Sequence, residues 1–275
     1  MKITKAILLI ILYGIIYYFY QFVIGAITGA AAAIIGRIAY GADFYTIYKN
    51  GGMGAVLCIT VILSAIFSYM TYWSVFLMRN LKITKVCNFK KLKLSYIPPA
   101  LILGVSICFL NSSLIAWLGK IEFFKHYIQM YQYQNSWLRE TNTILLVLAI
   151  AVTAPLIEEI IFRGMIFNEL KPIIPAFLII IIQGLLFGIY HFNIVQFIYG
   201  SFLGIMFGLV YYWTQNLWIP IILHFSNNIM AIIAVKQQEA ESASEANIWV
   251  FLVSLIITAL LCFFFYKRRS KDYYE

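Results

Sequence analysis

Residues Thr141–Gly164 read "TNTILLVLAIAVTAPLIEEIIFRG". From Thr141 to Ile157 the stretch is free of charge, and then Glu158, Glu159 and Arg163 arrive within six residues. A helix needs about 20 mainly apolar residues to cross a bilayer, and this stretch supplies them. An acid or base at the centre of such a helix costs about 2.5–3.5 kcal/mol on insertion scales. Three of them together ask for a reason.

The rest of the chain supports a membrane setting. Its 275 residues are 63% hydrophobic and 11% charged, with mean hydropathy +0.88. Soluble domains carry about 25% charge. Ala6–Gly36, Gly51–Met78 and Leu94–Gly119 are likewise uncharged. These runs do not alternate as the strands of a membrane barrel do. The expected fold is all-α, a polytopic helical membrane protein in a single integral domain, 1–275. About eight transmembrane helices are predicted, near 6–35, 52–78, 95–118, 143–167, 173–191, 194–213, 217–235 and 248–266. The start "MKITKAILLI" looks like a signal peptide, but the apolar run behind it is too long for one, so an anchor is expected.

The net charge is +9. The basic residues lie beside the spans, which fits membrane orientation and lipid contact rather than a nucleic-acid partner. With the N-terminus inside, the cytoplasmic segments hold 13 of the 20 Lys and Arg residues. The outer segments hold six basic and six acidic residues, three of the acids in "KQQEAESASEAN" (Lys236–Asn247). A multi-pass cell-membrane protein with both termini cytoplasmic is expected. The Lys, Ile, Asn and Tyr bias suggests a bacterial source. The four cysteines, Cys58, Cys87, Cys108 and Cys262, show neither disulfide nor zinc spacing.

Two features read as structural. Gly119–Glu140 is rich in aromatics at helical spacing and predicts a helix lying in the interface, with His126 simply solvated on it. Gly25 and Gly29 form a small-xxx-small pair suited to close helix packing.

Three polar clusters remain inside the spans: Glu158, Glu159 and Arg163; His191; and His224 with Asn228. Glu159 and Arg163 are i and i+4, so they share a helix face and can pair. Glu158 points about 100° away from its neighbour and has no local cation. Burial disfavours its charged form, which suits it to general-base work. His224 and Asn228 are also i and i+4, and Pro220 fits the first turn of their helix. Both can donate to a developing oxyanion. His191 could orient water, share a proton with Glu158 or bind a metal. Each cluster alone could be a packing device, but together, on three helices, they point to one shared site. A hydrolase and a proton-coupled transporter both remain open at this level.

"EEIIFR", "FGIYH" and "HFSNN" match E-E-x-x-x-R, F-x-x-x-H and H-x-x-x-N. In that order they resemble the CPBP family, the CAAX proteases and bacteriocin-processing enzymes that include type II CAAX prenyl endopeptidases. The resemblance implies an intramembrane endopeptidase with a catalytic core over 143–235, between spans 4, 5 and 7. Its implied catalytic residues are Glu158, His191, His224 and Asn228, with Glu159 and Arg163 completing the first motif. In the expected mechanism Glu158, helped by His191, activates water, while His224 and Asn228 hold the oxyanion.

The family is commonly labelled metalloprotease. Glu158, His191 and His224 would be the ligands if zinc were used. No H-E-x-x-H helix is present, and Asn228 is a better amide donor than zinc ligand, so a metal-free glutamate mechanism is preferred. The expected substrate is a membrane-associated or small peptide reaching the site from the bilayer or the cytoplasmic side. The alternative is a non-catalytic membrane partner, for bacteriocin immunity or sensor-kinase regulation, which lost motif residues would favour. A transporter should show two related halves, and none is visible. With span 5 starting near Ile173, His191 falls at its outer end, away from the other motifs. A later start, allowed by Pro172 and Pro175, would set it deeper.

Overall fold

A computed structural model describes residues 2–237 and 247–270. Most of "KQQEAESASEAN" and the end of the C-terminal tail, with their charges, lie outside the described residues. The described chain is helical, with no strand. Its helices are α1 (Lys2–Tyr40), α2 (Met53–Met78), α3 (Ile97–Leu118), α4 (Glu122–Gln134), α5 (Thr143–Leu170), α6 (Ala176–Ile189), α7 (Ile194–Thr214), α8 (Trp218–Gln237) and α9 (Ile248–Lys267).

Six helical stretches are long and apolar enough to cross a membrane, which makes this a multi-pass protein. The first, Lys2–Met78, is 77 residues long. It bends where Asn50 and Gly51 leave helical geometry (Gly51 φ +111°), giving the arms α1 and α2. These arms pack on each other. The expected fifth span is the exception. Its helix has 14 residues, about 21 Å at 1.5 Å per residue, against a hydrocarbon core of about 30 Å. Lys171–Ile174 form turns and Pro175 is extended, so α6 starts at Ala176 rather than Ile173.

Local chemistry sets the boundaries. Asn142 caps α5 by accepting from the Ile144 and Leu145 amides at 3.0 and 3.2 Å. Asn193 caps α7 in the same way, at 3.0 and 3.1 Å. Pro220 lies in the first turn of α8, as predicted. Helix α5 is interrupted by wide π-helical turns over Val147–Thr153 and Ile160–Ile166, on either side of the two glutamates. Such turns are rare and recur at functional sites.

The loops gather at two ends. At one, Arg79 pairs with Glu169, Leu217 N–H donates to the Asn88 carbonyl and Ser270 N–H to that of Trp213. At the other, Lys236 donates to the Arg139 and Thr141 carbonyls at 2.6 and 2.5 Å. The Asn193 amide reaches Gln134 at 2.9 Å. Helix α4 is amphipathic, with Phe123, Tyr127, Met130 and Tyr133 exposed. It also touches the bundle, because Tyr131 meets Tyr199 hydroxyl to hydroxyl at 3.3 Å. His126 is exposed on it. The small-xxx-small reading of α1 is not borne out: a Cβ on Gly25 would meet Thr60 at an ordinary 3.6 Å, and one on Gly29 would face open space. Thr28 and Thr60 join the arms by a 2.7 Å hydroxyl contact.

Helices α6 and α7 pack backbone to backbone. A Cβ on Gly204 would fall 2.7 Å from the Gly184 Cα, so only glycine fits there. That close approach brings Gln183 and Arg163 to the Gly204 carbonyl.

Candidate active site

Glu159 and Arg163 are wholly buried. Arg163 Nη1 donates to Glu159 Oε1 at 2.9 Å. The guanidinium does more than the pairing rule predicts. Its Nη2 donates to the Gly204 carbonyl at 2.9 Å, where Gln183 Nε2 also donates at 2.8 Å. It lies 4.9 Å from the centre of the Phe187 ring and 5.4 Å from that of Phe207. Two aromatic faces, a carboxylate and a carbonyl thus replace water around the buried cation.

The same Glu159 oxygen meets His224 Nδ1 at 2.9 Å. Helix periodicity cannot reveal this contact, since 65 residues separate the partners. A carboxylate on Nδ1 holds the proton there and turns Nε2 away from Glu159. That Nε2 faces Glu158, 3.7 Å from its Oε2. The separation is too long for a direct hydrogen bond, so the two groups face each other unbonded. Glu158 is buried, and among the described residues no side chain or amide donates a hydrogen bond to it. As the spacing predicts, Glu159 is paired and Glu158 is not.

His191 follows the end of α6. It stands edge-on to Phe187 at 5.3 Å and to Tyr190 at 5.1 Å. Phe187 also meets His224, at 5.8 Å, so both imidazoles pack on one ring. The three motifs therefore converge, and the short α6 is the reason. The direct His191–Glu158 contact expected from the sequence is not among the described hydrogen bonds, and the imidazole that faces Glu158 is that of His224. Asn228 is half-buried and gives one amide hydrogen to the Ile150 carbonyl at 2.8 Å, tying α8 to the first wide turn of α5. Asn227 donates to its oxygen at 3.1 Å.

Sequence reading missed the aromatic side of this cluster. Phe162, one turn past Glu158, packs on Phe187 at 5.0 Å and on Tyr190 at 5.6 Å. Tyr17 and Tyr18 of α1 meet Tyr190 at 5.8 and 5.2 Å. Nothing distinguishes these among 20 tyrosines in the sequence. Gln183 was findable, as a lone polar residue within an apolar helix.

Among the described residues, no three His, Cys, Asp or Glu side chains are grouped to hold a metal ion. Glu158, His191 and His224 in this arrangement do not fit a three-ligand zinc set.

Fold and site together define a multi-pass helical membrane protein with an ionisable cluster buried between α5, α6 and α8. Residues 140–230 match the family described as type II CAAX prenyl endopeptidase Rce1-like, and the three motifs lie within that segment. Two bacterial relatives are similar over part of their length. One, named "Putative membrane peptidase YdiL", from Bacillus subtilis, is 30% identical over 89 residues, 32% of this chain and 36% of the relative. The other, the membrane-embedded CAAX protease MroQ of Staphylococcus aureus, is 30% identical over 109 residues, 36% of this chain and 43% of the relative. The chain thus matches less than half the length of either. No solved structure matches it significantly.

Proposed function

We propose that this chain is an intramembrane endopeptidase in which Glu158 activates the attacking water. The observation that supports this most is the 3.7 Å gap between Glu158 Oε2 and His224 Nε2, with His224 held from behind by Glu159. A water in that gap donates to both groups and is aimed by both. Its oxygen attacks the scissile carbonyl carbon as Glu158 takes its proton. Glu158 then returns the proton to the amide nitrogen as the C–N bond breaks, leaving a carboxylic acid, which keeps the water's second proton, and an amine; that proton then passes between them to give a carboxylate and an ammonium.

This reading moves His224 from the oxyanion side to the water side. With Nδ1–H committed to Glu159, its Nε2 is an acceptor. The oxyanion donors are then the second amide hydrogen of Asn228 and the imidazole of His191. Glu159 and Arg163 do not touch substrate; they fix His224 and join α5 to α7.

The substrate is a membrane-associated or small peptide, arriving from the bilayer or the cytoplasmic end. A signalling or bacteriocin peptide suits a bacterial chain better than a prenylated one. The non-catalytic alternative calls for a lost motif residue, and all seven motif positions are present. Comparative peptidomics of membranes carrying the wild-type chain or Glu158→Ala tests the proposal. A neo-terminus lost only in the variant is expected, and identical peptidomes would rule out proteolysis by this site.

A further inference from the structure

His191 sits in a tight turn between α6 and α7, and its neighbour Phe192 has φ +49°. A bulky residue in the left-handed region is an outlier that persists only where its surroundings hold it. Little within the turn does so. Asn193 caps α7 and reaches Gln134, while Phe192 itself is 80% exposed.

The hold comes from α1. The Tyr18 hydroxyl donates to the Tyr190 carbonyl, on the peptide that enters His191. The Tyr18 ring meets that of Tyr190 at 5.2 Å and that of Phe192 at 5.3 Å. One side chain thus grips the residues on both sides of His191. Tyr18 lies outside the segment that matches the family. It is not a buried core residue; of its two neighbours along α1, Tyr17 also meets Tyr190, at 5.8 Å, but no described contact takes it to Phe192. Tyr17 is buried and accepts from Gln21 at 2.8 Å, while Phe19 is 57% exposed.

We infer that Tyr18 is a positioning residue for His191: its hydroxyl and ring lock the strained His191–Phe192 turn so that the imidazole is held against Phe187, the ring that His224 also meets. The inference rests on the proposed role of His191. It makes α1 a working part of the site rather than an anchor. The side chain touches neither substrate nor reacting atoms, so its effect appears in turnover rather than binding. Misplacing a catalytic group by about 1 Å costs up to about a hundredfold in rate.

The test uses the full chain in lipid nanodiscs with a peptide that the wild-type chain cleaves. Tyr18→Phe keeps the ring and removes the hydroxyl. Its kcat is expected to fall about tenfold or more, with KM and the unfolding temperature unchanged. Phe192→Leu, which removes the ring on the other side of His191, is expected to behave alike. It serves as the second variant if Tyr18→Phe does not accumulate. Tyr20→Phe is the control, because its hydroxyl meets Thr71 at 2.9 Å instead. A kcat equal to wild type overturns the inference. So does a loss that tracks a lower unfolding temperature, or a raised KM at unchanged kcat. His191→Ala separates the two levels. Normal cleavage there removes the role of His191 and this inference with it. Lost cleavage there, beside normal cleavage in Tyr18→Phe, overturns the inference alone.

Discussion

His224 Nδ1 stands 2.9 Å from Glu159 Oε1, the oxygen that also accepts from Arg163 Nη1 at 2.9 Å. One buried carboxylate oxygen therefore serves an ion pair within α5 and an imidazole on α8. Whatever disturbs the pair disturbs His224.

Removing one partner of a buried pair strands the other, at about 3–5 kcal/mol. Arg163→Ala is expected to lower the unfolding temperature sharply and to abolish cleavage. Glu159→Ala should do the same. The double variant should be more stable than the sum of the two losses implies, because neither charge is left alone. Thermal unfolding of the four proteins in detergent checks this; simple additivity would show that the two side chains are not coupled.

Asn228 gives one amide hydrogen to Ile150 and keeps one for the oxyanion. Asn228→Ala is expected to lower kcat about 10²–10³-fold. Stability should fall by only about 0.5–1.5 kcal/mol, for one lost hydrogen bond. A large stability loss with near-normal turnover of the folded fraction would make Asn228 a structural tie only.

Gly204 is the contact point of α6 and α7. Gly204→Ala brings a methyl to within 2.7 Å of the Gly184 backbone. Neither backbone can give way cheaply, so a loss of about 1–3 kcal/mol is expected. Activity should fall with it, since the Gly204 carbonyl holds Arg163 and Gln183. Gly29→Ala, which meets nothing within 4 Å, should change neither.

Chelation is expected to leave cleavage intact, because the water is placed by Glu158 and His224. Metal analysis of the active protein beside activity after chelation checks this. One stoichiometric zinc per chain, lost together with activity, would replace the glutamate mechanism by a metal one.

Much of the fold was legible because bilayer physics is coarse. Charge-free runs of sufficient length gave the helices, and Pro220 marked the start of one. The Glu159–Arg163 pair followed from i, i+4 geometry alone. The length of α6 was not legible. Apolar sequence runs on through Pro172–Pro175, and only the prolines hint that the helix begins late. His224–Glu159 and Tyr18–Tyr190 were hidden for another reason: each joins helices far apart in the chain, and periodicity within one helix carries no information on which neighbour it meets. Gln183 was the exception, since a lone amide in an apolar helix needs a partner.

The central claim is that Glu158 activates the attacking water. Glu158→Gln keeps the size and burial of the side chain and removes the base. Measured in nanodiscs on a peptide cleaved by the wild-type chain, its kcat is predicted to fall about 10²–10⁴-fold with an unchanged unfolding temperature. Cleavage at the wild-type rate by Glu158→Gln would contradict the account.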